Sequence, residues 1–175
     1  MPISLYDATV ASFDQTLGAV EGFLSRAADH FRDNALEPND LVQERLWADM
    51  LPFWFQVNSV VHHSVGALEA VRAGVFQPDA GPSDLDYSGL QKHVAAAREK
   101  LKGFGREEVE SWVGKDTTVK LGEHVLPFTA ENFLLSFSVP NFYFHATTAY
   151  DILRHKGAPL GKRDFMGRIR LAKRA

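Results

Sequence analysis

The sequence predicts an all-α protein, a four-helix bundle with a small β-hairpin inserted before the last helix. Two observations predict it. Apolar residues recur at alternating spacings of three and four over long stretches, whereas one short segment, 116–128, is rich in β-branched residues around a Gly-Glu turn. The length of 175 residues, with 45% hydrophobic and 23% charged side chains, indicates one domain over residues 1–175.

The first helix is predicted over about residues 5–32. Ser4 is placed to cap its start, because its hydroxyl can accept the backbone N–H of Asp7, and the segment 34–38 ends it. Its apolar residues form one face, which consists of Tyr6, Val10, Phe13, Leu17, Val20, Leu24, Ala27 and Phe31.

A second long helix is predicted to begin at Pro52 and to end at Gly74 and Pro78. Its apolar stripe consists of Trp54, Val57, Val61, Val65, Leu68, Val71 and Val75. A loop over residues 77–84 then leads to a third helix, for which Ser88 is a plausible cap. The apolar stripe of that helix consists of Leu90, Val94, Ala97, Leu101 and Phe104.

The last helix follows the hairpin. It is predicted to begin near Thr129 or Ala130, to bend at Pro140 and to end by Gly157. Together the four helices suggest a bundle, in which binding sites are built from polar side chains that converge from facing helices.

The charge is divided unevenly between an acidic body and a basic tail. Residues 1–153 carry 11 Lys+Arg against 21 Asp+Glu, and residues 154–175 carry 8 against 1. Clustered basic residues can bind nucleic acid, but no recognised nucleic-acid-binding motif accompanies them, so we expect no nucleic-acid partner. Instead, the basic tail, about residues 157–175, and the basic residues just before it are expected to dock on the acidic body. The docking residues are Arg154, Lys156, Lys162 and Arg163, with Phe165 and Met166 buried as anchors.

Several classes of function are excluded by what the sequence lacks. The chain has no cysteine, and therefore no disulfide, thiolate metal site or cysteine nucleophile. It has no HExxH, G-x-S-x-G, Walker or G-x-G-x-x-G motif. No secretory signal or lipid-spanning stretch is readable, so we expect a cytoplasmic protein without a membrane partner.

The seven histidines are the natural metal ligands or general bases, if the protein has either. At 100° per residue, His145 lies about 70° from the centre of the apolar arc of the last helix, on the inward rim. His62 and His63 both project about 130° from the stripe of the second helix, so neither is expected to face the core. A solvated boundary position is the simplest interpretation of His62.

Small residues line the second helix away from its apolar stripe. They are Gly66, Ala67, Ala70, Ala73 and Gly74, and such a ridge lets another helix approach closely. The sequence therefore predicts a homodimer that pairs through this ridge.

The C-terminal segments 140–157 and 159–167, which include Pro140-Asn141-Phe142-Tyr143-Phe144-His145, resemble the ending of an uncharacterised bacterial helical-bundle family allied to the DinB/YfiT-like superfamily. The resemblance covers nearly the whole chain and implies the bundle fold. In metal-binding DinB-like proteins, three histidines typically hold a divalent ion, one from the second helix and two spaced i,i+4 on the last. Here His145 matches one of that pair and Ala149 stands at the other position, while His62 and His63 lie near the second-helix position.

Two functions follow. The first is a non-catalytic bundle that dimerises or holds a small ligand, with His145 as a structural hydrogen-bonding group. The alternative is a divalent-metal enzyme for thiol transfer or hydrolysis, in which zinc or nickel is held by His145, His62 and His63.

Overall fold

The structure, a computed structural model, describes residues 4–172 as a mostly helical fold with one small sheet. The helices are α1 Leu5–Ala8, α2 Val10–Asp33, α3 Phe53–Val61, α4 Ala67–Ala73, α5 Tyr87–Leu101, α6 Arg106–Glu110, α7 Ala130–Asn132, α8 Val139–His155 and α9 Lys162–Met166. The strands are β1 Val75–Phe76, β2 Asp116–Leu121 and β3 His124–Thr129, and a 3₁₀ turn covers Pro38–Leu41. Each of the four predicted helical segments is helical. The structure has short helices besides these four segments, and a π turn interrupts the second segment and another the last.

The predicted first helix is divided into α1 and α2 at Thr9. The hydroxyl of Thr9 is fully buried and donates to the carbonyl of Leu5, and the backbone there leaves the helical region at φ −114°. Ser4 caps α1 as predicted, because its Oγ accepts the N–H of Asp7 at 3.1 Å. The predicted apolar face of α2 forms the core from Val10 to Phe31.

The second helical segment consists of α3, a π turn over His62–Gly66, and α4. It packs against both α5 and α8, so it is buried on two faces where the sequence indicated one stripe. Gly74 ends it as predicted, with the left-handed φ of +81° that glycine adopts without strain.

The cap of α5 is Asp86, so the prediction of Ser88 is wrong. The Oδ1 atom of Asp86 accepts the N–H of Gly89 at 2.6 Å, and the Ser88 hydroxyl donates to the same oxygen at 3.0 Å. The carboxylate therefore satisfies the helix N-terminus and the serine supports it.

The predicted hairpin is present as antiparallel strands β2 and β3. Strand β1 adds a third strand parallel to β2, with Val75 opposite Thr118. Two residues are too few to show alternation, which is why the sequence did not indicate this strand. The sheet ties the end of α4 to the hairpin.

The last helical segment consists of α7, a π turn over Phe133–Ser138, and α8. Thr129 caps it, accepting the N–H of Asn132. Pro140, where a bend was predicted, lies in the first turn of α8, directly after the π turn. The helix therefore departs from regular α geometry just before the proline. Proline has no N–H to continue the regular ladder at this point.

The basic tail docks on the body, but only partly through the predicted residues. Lys156 forms an ion pair with Glu44 at 2.6 Å, as expected. The contact of α9 with α2 reverses the predicted polarity, since the acid Asp164 belongs to the tail and pairs with Arg26 of α2.

Of the other predicted tail contacts, the described part of the chain forms only that of Phe165, and in part. Arg154 donates to the nearby carbonyl of Ala158, and Lys162 and Arg163 have no ion pair within residues 4–172. Phe165 is half-buried against Tyr150, but Met166 is 40% exposed. Adjacent residues of a helix point in different directions, so a single turn buries only one of these two.

The predicted small-residue ridge is covered in part. Ala67 and Ala70 are 0% and 7% exposed, so the close approach that they permit takes place within the molecule. Ala73 is exposed, and Gly66 and Gly74 are partly exposed. Among the described residues, no helix is long and apolar enough to cross a membrane.

Candidate functional site

A pocket of about 400 Å³ lies where the π turn of the second helical segment faces α8 and the loop after β1. The rings of Phe55, Phe76 and Phe137 form its apolar wall. Its polar wall contains His62, His63 and His145, the three residues that the sequence analysis singled out. The fold therefore brings all three together.

His145 is held in one orientation by Gln56. The Nε2 atom of Gln56 donates to the carbonyl of Leu51 at 2.8 Å, which leaves its Oε1 to accept from His145 Nδ1 at 2.8 Å. His145 is therefore protonated at Nδ1, and its Nε2 carries the free lone pair. Its half-buried position confirms the predicted inward rim.

His63 is buried at 9% exposure, so the prediction that it faces away from the core is wrong. Its ring stacks nearly parallel to that of His145, with centroids 5.8 Å apart, and Ser138 donates to its backbone carbonyl at 3.0 Å. Two features account for the error: the helix has a second buried face, and the π turn changes the 100° phase used to project it.

His62 lies at the boundary, as predicted. Its Nε2–H donates a hydrogen bond to the carbonyl oxygen of Gln77 at 3.0 Å. Its ring lies 4.5 Å from that of Phe76 and 5.5 Å from that of His63. It therefore links the histidine pair to the loop after β1.

Burial keeps these imidazoles neutral at pH 7. It lowers the pKa of His63 to about 3, assisted by the neighbouring His62 and His145, and lowers the pKa of His145 to about 4. The pKa of His62 is lowered by the same cause. The pocket thus presents uncharged hydrogen-bonding rings.

A three-histidine metal centre does not fit this arrangement. Within residues 4–172, no three His, Asp or Glu side chains are grouped so that they could hold a metal ion. Ala149, at i+4 from His145, has no donor atom, so the last helix supplies one histidine where a metal pair would need two.

Two polar residues of the site were missed by the sequence analysis. Gln56 is 2% exposed and orients His145, and fully buried Ser138 supports His63. Gln56 could have been found, because it is the one polar residue in the apolar run 53–57 at the start of α3. Ser138 has no such signal.

Two comparisons with known proteins found a match, one with a family model and one with a solved structure of similar fold. A family model described as a domain of unknown function (DUF1993) matches residues 5–166. Among solved structures, the crystal structure of a DinB family member protein from Shewanella denitrificans is similar at a TM-score of 0.79 and 24% identity, over 97% of this chain and 96% of that chain. No curated protein matches the sequence.

Proposed function

The chain belongs to the DUF1993 family of domains of unknown function, and we propose that it is a non-catalytic DinB-like four-helix-bundle protein that binds a small organic molecule between His63, His145 and the phenylalanine wall. The observation that carries this proposal is the pocket itself. An apolar cavity of about 400 Å³ with a few oriented polar groups has the form in which proteins hold small ligands.

The basicity of the histidines supports binding over catalysis. A general base works best with a pKa near the working pH. Burial instead lowers the pKa of His63 to about 3 and that of His145 to about 4. Both rings are weak bases at neutral pH and serve as hydrogen-bonding groups, and Gln56 fixes the direction of one of them.

A divalent-metal enzyme using His145 is the second candidate, on one observation. The three histidines that the DinB resemblance implicates line one pocket, and neutral imidazole is the form that binds zinc or nickel. The present geometry does not fit such a centre, so the first proposal is favoured.

Elemental analysis combined with ligand binding separates the two. We expect protein purified with metal supplied and without chelator to contain no stoichiometric zinc or nickel. We also expect phenethyl alcohol, a small aromatic alcohol, to raise the melting temperature of the wild type and of His155→Ala, a control at the exposed histidine that ends α8, but not of His63→Phe. One equivalent of metal that is lost in His145→Ala would instead show a metal site that uses His145 and would favour the second candidate.

A further inference from the structure

The pocket lacks the positive charge that is abundant elsewhere in the chain. The protein has 19 lysines and arginines, and none of those within residues 4–172 lines this pocket, where Asp79 is the one formally charged residue of the described chain. The histidines do not supply the missing charge, since burial lowers the pKa of His63 and of His145 far below 7. A carboxylate or phosphate ligand would therefore be buried without a counter-charge, which is strongly unfavourable.

Asp79 is held at the pocket by anchors on either side of it. On one side, His62 binds the carbonyl of Gln77 at 3.0 Å. On the other, Asn58, itself 2% exposed, donates to the carbonyls of Ala80 and Pro82 at 3.1 and 2.8 Å. The loop is therefore fastened to α3 and the π turn around the carboxylate.

Gly81 makes the second anchor possible. Its φ is +69°, and a Cβ there would stand 2.9 Å from the Nδ2 atom of Asn58, so a larger residue would separate the loop from the helix. The N–H of Gly81 also donates to Asp79 Oδ1 at 2.8 Å. This bond orients the carboxylate, and its second oxygen has no hydrogen-bond partner among residues 4–172.

The aromatic walls of the pocket also suit a ligand that carries positive charge. Aromatic rings attract cations through their faces, and Phe55, Phe76 and Phe137 line the same pocket as Asp79. An adjoining pocket of about 290 Å³ shares His62 and Asp79 and is lined by both Glu69 and Lys100, whose charged groups lie 3.8 Å apart. Because Glu69 and Lys100 offset each other, the uncompensated charge beside the loop is that of Asp79.

We propose that the ligand of the histidine pocket is a small organic cation, an ammonium group on an aromatic or apolar body. The ammonium pairs with Asp79, and the body packs against Phe55, Phe76 and Phe137. This inference rests on the proposed function, because it names the class of ligand for the same site.

Three probes of nearly equal shape test it by calorimetric titration of the full chain at pH 7: phenethylamine, phenethyl alcohol and phenylacetate. We expect the amine to bind up to about fivefold more tightly than the alcohol, because Asp79 is exposed and water screens the attraction of an exposed ion pair, and the acid to bind most weakly. Asp79→Asn keeps an oxygen for Gly81 N–H and should abolish the preference for the amine. Asp84→Asn, a matched change at an exposed aspartate outside the pocket, should preserve it.

Other outcomes overturn the inference in distinguishable ways. If the alcohol binds and the amine is not favoured, or if the preference survives in Asp79→Asn, the pocket binds a small molecule but not as a cation site. If phenylacetate binds more tightly than phenethylamine, the pocket accepts negative charge and the inference of a cationic ligand is refuted. If none of the three probes binds, both this inference and the proposed function fail.

Discussion

Replacing His145 with alanine is expected to lower the free energy of unfolding by about 1–3 kcal/mol, the usual cost of leaving a buried polar group without its partner. In the structure, His145 Nδ1 is bound to Gln56 Oε1 at 2.8 Å, and Gln56 is 2% exposed. The other end of that amide is fixed by the carbonyl of Leu51, so it cannot turn to find another donor.

A double-mutant cycle isolates this hydrogen bond. Gln56→Met retains the size of the side chain without the Oε1 acceptor, so the double variant should be less destabilised than the sum of the two single variants, by about 0.5–3 kcal/mol. Urea unfolding followed by circular dichroism measures each variant, and His155→Ala, exposed on the same helix, serves as a control expected within about 0.5 kcal/mol of wild type. A neutral His145→Ala, or additive effects, would show that this bond does not hold the site together.

Three further predictions concern pH, the tail and assembly. Burial lowers the pKa of His63 to about 3 and that of His145 to about 4, from an ordinary 6.5. Below pH 6.5 the unfolded chain therefore binds protons that the folded chain does not. The free energy of unfolding should fall from pH 6.5 towards pH 4, by up to about 1.4 kcal/mol per pH unit for His63. A double His63→Gln, His145→Gln variant with the same pH slope in urea unfolding would contradict this. Deleting residues 160–175 should lower the melting temperature, because Leu160 is 4% exposed and Asp164 pairs with Arg26; an unchanged value would make the tail a free arm. The homodimer through the small-residue ridge stays a prediction, which depends on exposed Ala73 and partly exposed Gly66 and Gly74; light scattering should give twice the chain mass, and a monomer at high concentration would refute it.

The sequence predicted the parts of the fold that depend on local periodicity. The α2 face from Val10 to Phe31, the Ser4 cap, the stop at Gly74 and the hairpin all follow from spacing or turn chemistry within a few residues. Strand β1 did not follow, because its pairing with β2 joins residues more than forty positions apart along the chain.

The candidate site was predicted in composition but not in arrangement. His145 was placed correctly because α8 is regular from Val139 onward. His63 was misplaced because the π turn and the second buried face depend on how α3 packs with α5 and α8, which no single-helix projection contains. Gln56 and Asp79 acquire their roles only when separate elements meet at the pocket.

Nitrogen-15 NMR of the histidine side chains, recorded during a titration with phenethyl alcohol, reports directly on whether His62, His63 and His145 line one ligand-binding pocket. We expect the signals of His63 and His145 to shift together and saturate, that of His62 to follow, and that of exposed His155 not to move. If the signals of the three pocket histidines stay unchanged while the alcohol is raised to its solubility limit, the proposal of one ligand-binding pocket is contradicted.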